Sequence, residues 1–209
     1  MQLFLTSIIQ TVAKNVASKI NNASTLNLAF ISTAAEGETG DKSWLEDDKK
    51  SLLRAGFGNV VDYTFTNKNT QQIKTELEQF DIIHINGGNT TYLMQVMHQT
   101  RALEVLKYLV VQKNKIYIGS SIGSMIAGQS IKELMWLDND VKPKQNQNNF
   151  QCLKFVNFNI APHWGENYFK KDYFNLFNQY YVDKHPFIML PDNSYLWVKD
   201  GLMQLVTVK

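Results

Sequence analysis

Three serines crowd the stretch "GSSIGS" (119–124), and the glycines around them single out one. Gly119-Ser120-Ser121-Ile122-Gly123 fits Gly-x-Ser-x-Gly centred on Ser121, with a β-rich run before it and a helical run after it. In that context the motif is a nucleophile elbow: a sharp turn strains the central residue, and small neighbours let the strand and the following helix pass without collision. The Ser121 hydroxyl would then stand at a helix N-terminus, where free backbone N–H groups favour developing negative charge. Ser120 would point the opposite way, and Ser124 would lie in the first helical turn, able to support the elbow. The plainer alternative is a helix N-cap serine among small packing residues.

A second turn, "HINGGNTTYL", offers the other half of a site. Gly87 and Gly88 let the backbone turn sharply and leave N–H groups pointing into a crevice, as an oxyanion hole requires. Asn89 and Thr90 are candidates to contact a substrate, or, in the ordinary reading, to cap the next helix. A serine nucleophile also needs a base. Of the four histidines, His84 lies inside an apolar strand, His98 on a helix, and His185 before Pro186 at the wrong end of a strand. His163, in "NIAPHWGEN", follows a strand at the same edge as the elbow and is the best base by position. A carboxylate must orient it. Asp192, just beyond another strand, is the first candidate, with Asp140, Asp138 and Glu166 as rivals.

These residues need a scaffold. Leu26–Ser32, Val60–Phe65, Phe80–Ile85 and Ile116–Gly119 read as strands, and the first, third and fourth are apolar enough to be covered on both faces. Trp44–Ala55, Thr70–Gln79 and Thr90–Val111 carry apolar residues at helical spacing. Alternation of strand and helix predicts crossover units and a mainly parallel sheet, with ligands at the carboxyl ends of its strands. Beyond a polar loop at 138–150, Phe158–Ala161 and Phe187–Leu190 read as further strands around an aromatic helix from about Glu166 to Val182. The closing "SYLWVKDGLMQLVTVK" reads as a hairpin about Lys-Asp-Gly. The expectation is a three-layer α/β/α sandwich with an antiparallel edge.

Composition narrows the function classes. A chain of 209 residues, 44% apolar, suits one domain spanning 1–209. Its net charge of +2 gathers into no basic stripe, so nucleic acid is not an expected partner. The single Cys152 excludes a disulfide framework and a multi-thiolate metal site within the chain, and fits a reducing, cytoplasmic setting. No stretch reaches the roughly 18 apolar residues of a membrane span, and Lys14 follows the first apolar run where a signal peptide would carry its charge before it. "NGGNT" as a phosphate loop is disfavoured, because neither Gly-x-Gly-x-x-Gly nor Gly-Lys-Ser/Thr is present.

Taken together, "GGNTTYL", "IGSSIGSMIAG" and "PHW", with the opening "LFLTS" and the closing "DG" hairpin, resemble the peptidase E and cyanophycinase family of serine peptidases, peptidase family S51. The resemblance covers nearly the whole chain and implies a flavodoxin-like fold similar to class I glutamine amidotransferases. It also implies Ser121 as nucleophile, His163 as general base and then acid, and the Gly88 and Ile122 N–H groups as the oxyanion hole. For the acid it leaves Asp192 or Asp140, with Asp192 favoured and Asp140 then free to hold a peptide's terminal amine. The implied substrate is a short peptide, with an N-terminal aspartate a possibility, and no metal or organic cofactor is required. A monomer or homodimer is expected. One departure stands out: the family usually has alanine where this chain has Ile122, whose branched side chain could narrow the pocket. That departure motivates a second reading, a noncatalytic binding protein that keeps the fold. A glutamine amidotransferase would need cysteine at the elbow, and an α/β-hydrolase would place its histidine much farther from the serine.

Overall fold

Strict alternation of facing residues explains why the central strands are largely apolar on both faces. Leu3 and Leu5 pack into one core and Phe4 into another; Ala29 and Ile31 are divided from Leu28 and Phe30 in the same way, and Tyr117 from Ile118. Each strand therefore lies between two helical layers, and polar residues on either face would be desolvated. The computed structural model describes residues 1–132, 151–180 and 186–209.

The strands are β1 (Gln2–Thr6), β2 (Asn27–Ile31), β3 (Asn59–Tyr63), β4 (Ile82–Ile85), β5 (Ile116–Ser120), β6 (Asn159–Pro162), β7 (Phe187–Leu190), β8 (Ser194–Lys199) and β9 (Leu202–Thr207). The helices are α1 (Ile9–Ser18), α2 (Thr33–Glu36), α3 (Ser43–Arg54), α4 (Thr70–Leu77), α5 (Thr90–Thr100), α6 (Ala102–Lys107), α7 (Ile122–Met125) and α8 (Lys170–Tyr180). Among the described residues, seven strands form one sheet in the order β3-β2-β4-β5-β1-β8-β9. The first five are parallel, and β8 and β9 close the edge in antiparallel fashion around Asp200-Gly201, as the hairpin signal predicts. Helices α1 and α3 cover the Phe4 and Phe30 face; α4, α5, α6 and α7 cover the face of Leu5 and Ile85. The three-layer α/β/α architecture is thus present.

Three features depart from the pattern reading. Strand β1, in the sheet interior, and helix α1 run together in the sequence because α1 begins after Ile8 with no side-chain cap and no acidic first-turn residue. The expected Thr90–Val111 helix is broken at Arg101, which takes a left-handed φ of 57° between α5 and α6, and it ends in a π-helical turn at Tyr108–Gln112. No glycine or proline marks that break. Finally, β6 and β7 do not extend the main sheet but pair with each other in parallel. The edge of β1 that they would need is already taken by β8.

Candidate active site

The elbow is held by its backbone. Ser121 has φ 51° and ψ −115°, a conformation a side-chain-bearing residue adopts only when its surroundings impose it. Its N–H donates to the carbonyls of Thr6 and Ser7 at the end of β1, at 3.1 and 3.0 Å. The flanking glycines are required by contact: a Cβ on Gly119 would lie 2.5 Å from the Gly123 backbone, and one on Gly123 would lie 2.1 Å from the Ile85 carbonyl oxygen. Ser124 Oγ reaches both the Thr6 and the Gly119 carbonyls at 2.8 Å, supporting the turn. Ser120 Oγ points the other way and accepts the Ile9 N–H at 3.1 Å, so the cap that α1 lacks in its own sequence comes from the elbow.

Strand β6 delivers His163, and the turn between β7 and β8 delivers Asp192. Ser121 Oγ lies 2.9 Å from His163 Nε2, and His163 Nδ1 lies 2.8 Å from Asp192 Oδ1. The acceptor-only carboxylate assigns the proton to Nδ1 and leaves the Nε2 lone pair facing the serine hydroxyl. His163 is itself in the left-handed region, at φ 60°, and its ring stacks on Phe169 with centroids 4.9 Å apart. Burial would raise the Asp192 carboxyl, but hydrogen bonds from His163 and Ser7, together with the electrostatic interaction with His163, outweigh it and hold it below the usual carboxylate range. Of the rival acids, Glu166 contributes its backbone N–H to the His163 carbonyl. Asp138 and Asp140, like His185, lie outside the described residues.

Two residues of the site escape the motif reading. Ser7, fully buried at the end of β1, accepts the His163 N–H at 2.6 Å and donates to Asp192 Oδ1 at 2.5 Å, tying the two residues together. Asp48 is 6% exposed and lines the same cavity of about 260 Å³ as Ser121, His163 and Ser7. Burial raises its carboxyl, against hydrogen bonds from Asn86 and Gln10. Its signal was in the sequence: Leu45, Asp48 and Leu52 share one helical face, and a carboxylate at an inward position is anomalous. Behind it, Asn86 Nδ2 donates to Asp48 Oδ2 at 2.8 Å, and Asn86 Oδ1 lies 3.2 Å from His84 Nε2. His84 is wholly buried, stacked on Phe30, and burial lowers its pKa to about 4.

The remaining expected residues divide. Gly87 and Gly88 line the cavity, and Gly88 has φ 131°, with space for no Cβ against Ala34. The Ile122 N–H is the first amide of α7, where helix geometry supplies no acceptor. Its side chain, 1% exposed, packs in the core and not in the cavity, so the narrowing expected from its branched shape does not occur. Asn89 and Thr90 do not line the cavity either: Asn89 Oδ1 caps α5 through the Tyr92 N–H at 2.8 Å, and Thr90 is buried. Their ordinary reading as helix-start residues is the one this geometry fits. Among the described residues, no group of three or more His, Cys, Asp or Glu could hold a metal ion, and no helix is long and apolar enough to cross a membrane.

Residues 3–206 match the profile of peptidase family S51. The chain belongs to that family. It is accordingly a serine-type peptidase. It is 28% identical to an uncharacterized peptidase of Listeria innocua serovar 6a over 201 residues, covering 93% of this chain and 94% of that one. A Drosophila melanogaster relative named "Probable alpha-aspartyl dipeptidase" is 34% identical over 88 residues, 42% of this chain and 35% of its own. The crystal structure of a peptidase E-like protein from Listeria monocytogenes EGD-e superposes with a TM-score of 0.88 at 24% identity, covering 100% of this chain and 98% of the other. That likeness carries the fold.

Proposed function

We propose that this family S51 peptidase is an exopeptidase or dipeptidase that cleaves short peptides through an acyl-enzyme formed on Ser121. The observation that carries the reading is the unbroken hydrogen-bonded chain from Ser121 Oγ through His163 to Asp192, at 2.9 and 2.8 Å, around a strained elbow. Ser121 Oγ attacks the scissile carbonyl carbon as His163 Nε2 takes its proton, and Asp192 stabilises the imidazolium. The oxyanion is met by the Gly88 and Ile122 N–H groups. Collapse breaks the C–N bond, and His163 returns the proton to the leaving amine. Water, deprotonated by His163, then attacks the ester, releasing the acid and restoring the serine. The small cavity favours a substrate of few residues. A fluorophosphonate probe should label Ser121 in the folded protein, and Ser121→Ala should lower kcat by a factor on the order of 10⁴ or more. A folded chain that takes no adduct at Ser121, or full turnover in the alanine variant, would end the reading.

A further inference from the structure

Peptidase chemistry does not explain Asp48. It sits on α3, 94% enclosed by the protein's own atoms, yet it faces the cavity of Ser121. Helix α3 would be better packed with an apolar residue between Leu45 and Leu52, since an ionised carboxylate without a counter-cation is costly to bury. The surrounding groups hold it as an acceptor. Asn86 presents its amide N–H to Asp48 Oδ2 because its carbonyl oxygen is engaged by His84 from behind, and Gln10 is the other side-chain partner. No lysine or arginine among the described residues lines the cavity. Trp44, half-buried beside Asp48, adds an aromatic ring of the kind that attracts cations. A fixed acceptor, an aromatic neighbour and a missing counter-cation together describe the receptor for an ammonium group.

We propose that Asp48 is the specificity-determining carboxylate of this site, receiving an ammonium of the peptide substrate one or two residues to the N-terminal side of the scissile bond. This rests on the peptidase reading above. An extended residue advances about 3.3–3.6 Å, and a cavity of about 260 Å³ holds only one or two such steps beside the serine. The same ammonium chemistry is offered by a free α-amine and by a lysine side chain. An aspartate carboxylate placed beside Asp48 would instead meet a like charge.

Calorimetric titration of the Ser121→Ala chain with Ala-Leu, N-acetyl-Ala-Leu, N-acetyl-Lys-Leu, Asn-Leu and Asp-Leu tests this without requiring turnover. A charge-assisted hydrogen bond implies that Ala-Leu, N-acetyl-Lys-Leu or both bind about tenfold or more tightly than N-acetyl-Ala-Leu, and that Asp-Leu binds more weakly than Asn-Leu. Whichever amine gains identifies the source of the ammonium. Both preferences should disappear in Asp48→Asn and Asp48→Ala added to the same background. The proposal is overturned by equal affinities with and without an amine, by no binding of any of the five, by Asp-Leu matching Asn-Leu, or by preferences that survive in both Asp48 variants. Fluorophosphonate labelling of the unsubstituted chain separates the two failures: an adduct at Ser121 with no amine preference removes only the role of Asp48, whereas absence of the adduct removes the peptidase reading.

Discussion

At the scale of single residues, the site depends on groups that no motif names. Ser7 Oγ satisfies the His163 backbone N–H and donates to the Asp192 oxygen that also accepts from His163 Nδ1. Ser7→Ala leaves a part-buried N–H unpaired at a residue already strained at φ 60°. The loss of about 1–3 kcal/mol falls on the positioning of the base, so kcat should drop roughly 5- to 150-fold, with KM within about twofold. Ser7→Thr, which keeps a hydroxyl, should recover part of it; an unchanged kcat in Ser7→Ala would remove Ser7 from the machinery. Ile122 behaves in the opposite way. Because its side chain is in the core, Ile122→Ala should destabilise the fold by about 2–5 kcal/mol, seen in urea unfolding, while KM for a short peptide stays within about twofold. A large fall in KM with unchanged stability would place the branched side chain back in the pocket.

At the scale of elements, the elbow works because β5 and α7 cross with almost no space between them. Gly123→Ala pushes a methyl to within 2.1 Å of the Ile85 carbonyl on β4, and neither strand nor helix can yield without moving the sheet. The expected cost is about 3 kcal/mol or more, a fall in Tm of roughly 6–12 °C, with activity lost together with it. Gly40→Ala serves as the control: it has φ 94° with nothing within 4 Å of the added methyl, so only the backbone penalty of about 1–2 kcal/mol applies. Similar melting temperatures for the two variants would refute the crowding argument. Which elements were legible follows from the same physics. Strands β2, β4 and β5 were readable because burial on both faces makes them mostly apolar, and the elbow because two contacts force glycine at fixed positions. Helix α1 was not, since its capping oxygen comes from Ser120, 111 positions away. Nor was the independent pairing of β6 with β7, which depends on which strand occupies the β1 edge. His163 and Asp192 lie within hydrogen-bonded reach of Ser121, and their positions at strand ends could be read locally, whereas Ser7 is tied to them only through contacts spanning more than 150 residues.

At the scale of the whole molecule, the two cores differ in what they exclude. The face covered by α4, α5 and α6 buries mainly aliphatic side chains, while the face under α1 and α3 buries the polar chain His84–Asn86–Asp48 beside Phe30. This chain links global stability to pH. His84 has a folded pKa lowered to about 4 by burial, against about 6.5 in the unfolded chain, so the unfolded state binds the extra proton first. Its stabilising contribution is complete above about pH 6.5 and is lost as pH falls towards 4. Asp192 acts in the same direction at lower pH, because its depressed carboxyl is protonated only below the usual carboxylate range. Asp48 opposes them: raised by burial, it favours the fold most below its unfolded pKa and loses that contribution as pH rises through its folded value. Between pH 7.5 and 4.5 the His84 contribution is about 2–3 kcal/mol. His84→Gln keeps a donor for Asn86 without a titrating ring, so urea unfolding at the two pH values should show a smaller loss of stability in the variant by about that amount, and equal losses in both proteins would mean that the acid sensitivity of the fold has another origin.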